Sequence, residues 1–351
     1  MSFKRFICPV CPLHKNSPLF QSKERLAHKM TTQASILPLK KKKLTGSPAG
    51  ASGKTVLAYL TPAMLGLLLV NVLPIIYSIY ISFTNRNGPA HFAEGKYHLI
   101  GFDNYIRLLG QPTFYLVFGS TMLYTILCVS LFFIVGLTFA IILNNPAIKG
   151  RTIWRTFMIL PWAVPFWITA LIWKFLFHSS FGPINQILHL WGVANPPQWL
   201  LNGPWAFVAV VIINLWLSFP FFTLILLGGL QSIPQDLYEA AEIDGAGFWQ
   251  KFFTITLPML RPVSVPSIIL SVITTLKIFE TIYLVTGGGP VTDISRPGAT
   301  EFLMVWAYNQ GFATTKLFGV VAAFSIIVFI ILFVITVIYT RMTHATKSLQ
   351  E

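Results

Sequence analysis

The sequence predicts an all-α polytopic membrane protein: six transmembrane helices, with one acidic helical loop on the cytoplasmic side. Three observations predict it. First, 54% of the 351 residues are hydrophobic and 10% are charged, where a soluble domain carries about 25%. The mean hydropathy of +0.68, with 30 Phe and 10 Trp, points to lipid as the main solvent. Second, the apolar residues fall into six runs. Each is long enough to cross ~30 Å of hydrocarbon at about 1.5 Å per residue. Third, Lys and Arg collect near the run ends on one side, which marks the cytoplasm.

The N-terminal segment, residues 1–55, supplies most of the net charge of +14. It holds eleven Lys/Arg against the single acid Glu24. A basic tail ahead of a first span is the ordinary positive-inside pattern. No nucleic-acid-binding motif accompanies the charge, so nucleic acid is not expected as a partner. The tail is poor in aromatics and rich in Lys, Ser and Pro, which predicts disorder or a membrane-surface position. "KKKK", Lys40 to Lys43, suits anionic lipid heads. Cys8 and Cys11 form one C-x-x-C with His14 and His28 nearby. A second ligand pair at zinc spacing and a βαβ context for redox chemistry are both missing. "PAGASGKT", Pro48 to Thr55, approaches a phosphate-cradling loop, but Pro48 replaces its first glycine and no strand precedes it. No nucleotide, metal or catalytic site is therefore expected in the chain. Cys128 lies in an apolar run as a packing residue.

The six runs are Val56–Phe83, Phe114–Leu143, Ile153–Phe177, Trp205–Leu230, Val263–Val285 and Leu317–Tyr339. The loop 178–204 contains no Lys, Arg, Asp or Glu. The turn 144–152 carries Lys149 and Arg151, with Arg155 just beyond, and Arg341 and Lys347 follow the last run. Both termini and the loop 231–262 are thus expected in the cytoplasm. The loops 84–113, 178–204 and 287–316 are expected outside. In 178–204, Ile184–Gly192 reads as a short amphipathic helix. Pro62, Pro74, Pro161, Pro165, Pro220 and Pro266 fall inside the runs and predict kinks.

"QDLYEAAEIDGAG" holds Asp236, Glu239, Glu242 and Asp244, four of only eleven acids in the chain. Ser232 suits an N-cap, Pro234 a first-turn position and Asp236 the helix start. Gly245 and Gly247 offer a stop. The spacing predicts a helix of two to three turns, too short to hold itself in water. Leu237, Ala240 and Ala241 share one face. An anionic inner leaflet repels carboxylates, so a cytoplasmic protein partner explains them better than lipid. "FWQKFFTITLP", Phe248 to Pro258, reads as a second, apolar amphipathic piece returning to the membrane.

"EAAEIDGAGFWQKFFTITLP" resembles the EAA loop of permease subunits in binding-protein-dependent ABC importers. Glu239, Ala240, Ala241 and Gly245 occupy the motif positions. "IGFDNYIRLL", "ILPWAVPFWITALIWKFLF" and "LVTGGGP" are similar to the carbohydrate branch, of MalF type. The resemblance covers residues 56–342 and leaves out the 1–55 tail. It implies the type I ABC importer permease fold, with residues 56–342 as the permease domain and 343–351 as a C-terminal tail. It also implies that the acidic helix is a coupling helix received by an ATPase subunit, with Asp244 beside the motif residues. The partners it implies are a second permease subunit in a heterodimer, two ATP-binding cassette subunits carrying ATP and Mg, and an extracytoplasmic solute-binding protein. The setting would be a bacterial-type inner membrane, with lipid as the remaining partner.

Ser271, Thr274, Thr275 and Ile278 are spaced i, i+3, i+4, i+7, so they share one helix face. Leu217, Ser218 and Phe221 surround Pro220 in the fourth run. Ser and Thr in spans commonly bond back to their own helix. Aligned through the EAA loop, however, these positions resemble those lining the sugar pocket of the maltose-type subunit. Lys277 and Glu280, three apart, read as a structural ion pair. His178 and His189 read as surface histidines. The expected function is ATP-driven import of a sugar, oligosaccharide or sugar derivative, without enzymatic chemistry in this chain. Glycerol 3-phosphate or a polyol remains the alternative solute. An ion-coupled transporter fits less well, because Glu280 is the only carboxylate in the six runs.

Overall fold

The computed structural model describes residues 53–88, 97–293, 295–313 and 316–343. The expectations for Cys8 and Cys11, for Lys40 to Lys43, for Pro48 and for the tail from residue 344 lie outside them. The chain divides into two units, Met1–Val70 and Asn71–Glu351. The first contributes helix α1 (Gly53–Leu67) and the opening of a π-helical turn, Leu68–Val72. Gly53, Lys54 and Thr55, the end of the loop-like motif, already belong to α1. The helix therefore starts three residues before the expected Val56.

The second unit opens with α2 (Leu73–Ser82), which carries Pro74 in its first turn, followed by the short α3 (Asp103–Leu109). Its centre is a pair of long helices, α4 (Pro112–Asn144) and α8 (Gly203–Gln231). They touch backbone to backbone because position 136 has no side chain. A Cβ at Gly136 would collide with Phe222 and sit 3.0 Å from the Thr223 nitrogen. Small residues permit this kind of approach between spans. Phe132, Phe222, Leu226 and Leu260 fill the core around the crossing.

Between these helices lie α5 (Arg151–Ala163), α6 (Phe166–Leu176) and α7 (Pro183–Leu190). The third apolar run, expected as one kinked span, is two helices bent by 91°. Pro165 is the cause. It cannot donate to the turn before it, and it pushes the preceding residue into extended backbone; Val164 has ψ 127°. Pro161, by contrast, stays inside α5. Among the described residues, five helical runs are long and apolar enough to cross a membrane, or six if the bent pair counts as one span.

After α8 come α9 (Gln235–Ile243), α10 (Phe248–Lys251), a π-helical turn (Phe252–Thr256) and α11 (Leu257–Leu276). The fifth span thus occupies Phe248–Leu276, some fifteen residues N-terminal of the expected start at Val263. "FWQKFFTITLP" is its first third and not a separate surface piece. The span ends before Lys277, and α12 (Glu280–Thr286) starts anew. Lys277 and Glu280 are both exposed and form no ion pair with each other; the ion pairs among the described residues are Lys251–Glu242 and Arg296–Asp293. Each charge instead suits a helix end. Lys277 caps the C-terminus of α11, and Glu280 lies in the first turn of α12.

The chain closes with α13 (Leu303–Tyr308), a π-helical turn (Asn309–Ala313) and α14 (Phe318–Thr343). Leu108, Phe114, Trp306 and Phe324 join α3, α4, α13 and α14 in a second core cluster. The uncharged loop after α6 is held down by aromatic and amide contacts. Phe177 lies 4.9 Å from the Trp199 ring centroid. Trp199 Nε1 donates to Asn185 Oδ1 at 2.8 Å, and Asn185 Nδ2 donates to the carbonyls of Ser179 and Pro197. The amphipathic helix expected in this loop is α7.

Candidate functional site

The acidic helix α9 forms where the local chemistry directs it. Pro234 stands at its N-cap with extended backbone, and Asp236 lies in its first turn. Ser232, expected as the cap, finishes the previous helix instead. It is the C-cap of α8, and its hydroxyl donates to the Gly229 carbonyl at 2.7 Å. The tight link between the two helices leaves Ser232 too far upstream to reach the first amides of α9.

The far end closes as a Schellman motif. The Ala246 amide donates to the Ala241 carbonyl at 2.8 Å and the Gly245 amide to Glu242 at 3.0 Å. Gly245 takes φ +78° to allow it. A Cβ there would meet nothing within 4 Å, so the requirement for glycine is one of backbone and not of space. Gly247 has extended backbone and leads into α10.

Along α9, Asp236, Leu237, Glu239, Ala240 and Glu242 are exposed, Asp244 is exposed just after it, and Ala241 is half-buried. The side facing the bundle is carried by Tyr238, whose ring packs against the main core. Its hydroxyl meets Thr256 Oγ1 at 2.9 Å. Lys251 Nζ reaches Glu242 Oε1 at 2.6 Å. A neutral hydrogen bond of this kind is worth about 1 kcal/mol net, and an ion pair this exposed about 0.2–1 kcal/mol. Sequence reading missed Tyr238, Thr256 and Lys251, because each contact spans a turn and no periodicity links its partners. Beside them opens a cleft of about 580 Å³ that also borders Asn144, Asn145 and Gln231. The acidic loop and the basic turn after α4 therefore occupy the same end of the second unit.

The candidate pocket residues divide into groups. Leu217, Ser218 and Phe221 are half-buried on α8. Trp162, from the end of α5, comes to them because of the break at Pro165. Its indole N–H donates to the Leu217 carbonyl at 2.9 Å, and its ring lies 6.1 Å from Phe221. That carbonyl is next to the one that Pro220 leaves without a helical donor. Ser218 Oγ points back to Asn214 Oδ1 at 3.4 Å. On α11, Ser271 and Thr275 are buried, while Thr274 is exposed and bonds back to Leu270 and Ser271. Ile278 lies beyond the helix end, between α11 and α12, so the expected four-residue face is broken. Sequence reading missed Trp162 and Asn214; their partners are 55 residues away and one turn away respectively. Among the described residues, no three His, Cys, Asp or Glu side chains are close enough to share a metal ion.

The loop after α12 is tightly tied. Thr286 Oγ1 and Thr300 Oγ1 are 2.6 Å apart, and Thr300 also donates to the Gly289 carbonyl at 2.7 Å. Lys174 from α6 donates to the Leu284 carbonyl at 3.2 Å, which fixes α12 to the bent span.

Residues 133–347 match the family described as binding-protein-dependent transport system inner membrane component. Over 280 residues the chain is 39% identical to the trehalose/maltose transport system permease protein MalF of Thermococcus litoralis, covering 80% of this chain and 90% of that one. Over 296 residues it is 35% identical to the maltodextrin transport system permease protein MalC of Streptococcus pneumoniae, covering 81% and 68%. Among solved structures, it shares its fold with a chain of a bacterial alginate ABC transporter in complex with alginate pentasaccharide-bound periplasmic protein. The TM-score is 0.69 at 22% identity, over 82% of this chain and 93% of that chain.

Proposed function

The chain belongs to the family of binding-protein-dependent transport system inner membrane components, and from that premise we propose that it is the permease subunit of an ATP-driven importer of a sugar, oligosaccharide or sugar derivative. The observation that carries this reading is the exposed acidic helix α9, at one end of a chain whose relatives are named for trehalose, maltose and maltodextrin transport. Glu239, Ala240, Ala241, Asp244 and Gly245 would be received by an ATP-binding cassette subunit on the cytoplasmic side. ATP and Mg would be held there and not on this chain. Closure of two such subunits would push α9, and the helices behind it would turn the path from inward- to outward-facing. The energy for the switch comes from the difference in affinity that ATP creates between the two states. A second permease subunit would form the opposite wall, and an external binding protein would deliver the solute.

Leu217, Ser218, Phe221, Ser271, Thr274, Thr275 and Ile278 are the proposed solute-facing set, with Trp162 as an aromatic neighbour. Aromatic rings and hydroxyls side by side suit a sugar, which presents both C–H faces and hydroxyls.

The test is reconstitution of the chain with its partner permease, ATPase subunits and binding protein in vesicles. Uptake of a labelled disaccharide or maltodextrin is expected to need ATP and to fall when Glu239 and Gly245 are replaced. Equal uptake in the double variant removes the coupling assignment. Uptake driven by an ion gradient without ATP removes the importer reading altogether.

A further inference from the structure

We propose that Tyr238 and Thr256, together with the Glu242–Lys251 ion pair, are a two-point clasp that delivers the movement of α9 to the foot of the fifth span. This rests on the permease reading above and adds to it the residues that transmit the stroke.

The geometry begins with α9 itself. A nine-residue helix has little rigidity of its own, and most of its surface is exposed. A push on it travels only through what ties it down. The first tie is Tyr238. The Tyr238 hydroxyl and Thr256 Oγ1 lie 2.9 Å apart and share a hydrogen bond. The second is Glu242, which accepts from Lys251 Nζ at 2.6 Å.

The placement of these ties is informative. Tyr238 and Glu242 are four apart, so both leave α9 from one face. Lys251 and Thr256 bracket the π-helical turn Phe252–Thr256 at the foot of α11. One tie would let α9 swivel. Two ties on one face, ending on one segment, fix its rotation as well as its position. A π turn is a local distortion within a helix, often found where function demands it, and here it stands where the load enters the span. The cleft of about 580 Å³ opens beside the clasp, bordered by Tyr238, Lys251 and Thr256 as well as by Asn144 and Asn145 after α4 and Gln231 at the end of α8. The same α11 carries Ser271, Thr274 and Thr275, about four to five turns above Thr256, so a stroke received at Thr256 acts directly on the proposed solute wall.

The experiment uses the complete reconstituted transporter and reads solute imported per ATP hydrolysed. Tyr238→Phe keeps the ring and removes the hydroxyl. It is expected to leave assembly and the half-saturating concentration of loaded binding protein unchanged, and to lower import per ATP about fivefold, the factor that matches one lost neutral hydrogen bond. Glu242→Lys alone is expected to lower the ratio, and E242K with K251E to restore it. A merely structural role would change yield and not this ratio. An unchanged ratio in the Y238F/E242Q variant overturns the clasp, as does failure of the charge reversal to restore import in an assembled transporter. If the unaltered chain shows no ATP-driven uptake at all, the permease reading falls and the clasp falls with it; uptake with an unchanged ratio overturns the clasp alone.

Discussion

Gly245 decides where α9 stops. Its φ of +78° lies in the left-handed region, and a side chain there costs about 1–2 kcal/mol even with open space around it. Gly245→Ala is therefore expected to loosen the Schellman turn without a steric clash. The amides of Gly245 and Ala246 should exchange their hydrogens roughly five- to thirtyfold faster, the factor that corresponds to that energy. Gly245→Asn should show a smaller effect, since Asn tolerates this region better than Ala. Equal exchange in the Ala variant would mean that the turn is held by its docking and not by its backbone. The carboxylates around it have a simpler logic. Exposed on a short helix, they add little to the fold, and their concentration in a chain with so few acids is consistent with the proposed docking role. Residue-scale reading of the sequence identified Gly245 correctly, because the stop signal is local. It misplaced Ser232, because the choice between ending α8 and starting α9 depends on how tightly the two helices are joined.

At the scale of elements, the crossing of α4 and α8 depends on Gly136. Overpacking a close contact costs about 1–3 kcal/mol, and here the colliding atoms include the backbone around Phe222 and Thr223. Gly136→Ala is expected to lower the melting temperature of the detergent-solubilised chain. Gly228→Ala on α8 meets nothing within 4 Å and should be neutral or stabilising by up to about 1 kcal/mol from helix propensity. A Gly136 variant as stable as the Gly228 variant would show that the two spans can part without penalty. The six apolar runs were legible because lipid demands an apolar residue at nearly every position. The helix breaks within them were not. Six prolines were visible, yet Pro62, Pro161, Pro220 and Pro266 stay inside helices and Pro165 divides one. The stop at Leu276 carries no proline or glycine. It is held from outside, by Lys174 on the Leu284 carbonyl and by Phe279 against Tyr283 and Tyr308. Such contacts join residues far apart in the chain, so spacing along the sequence cannot reveal them. For the same reason the face expected from Ser271 to Ile278 loses Ile278, which lies beyond the end of α11 at Leu276.

For the second unit as a whole, the remaining question is which end faces the cytoplasm. One end gathers the turn after α4, the acidic helix and the foot of α11 around a shared cleft. Lys149, Arg151 and Arg155 belong to this end by sequence. The opposite end carries the aromatic cluster of Phe177, Trp199 and Trp205, in and flanking a loop without a single Lys, Arg, Asp or Glu. Basic residues close to span ends are retained in the cytoplasm, and aromatic rings collect at the membrane surface. The two patterns agree, and both support the proposed cytoplasmic position of α9. Single cysteines at Ala147 and Ala194, both exposed, test this in a background with Cys8 and Cys11 replaced by Ser; Cys128 is buried and stays silent. In intact cells a membrane-impermeant maleimide should label Ala194→Cys and spare Ala147→Cys. Permeabilised cells should label both. The reverse pattern would put the acidic helix outside the cell, where no ATPase subunit could reach Glu239, and the coupling role would have to be given up while the fold stayed as described.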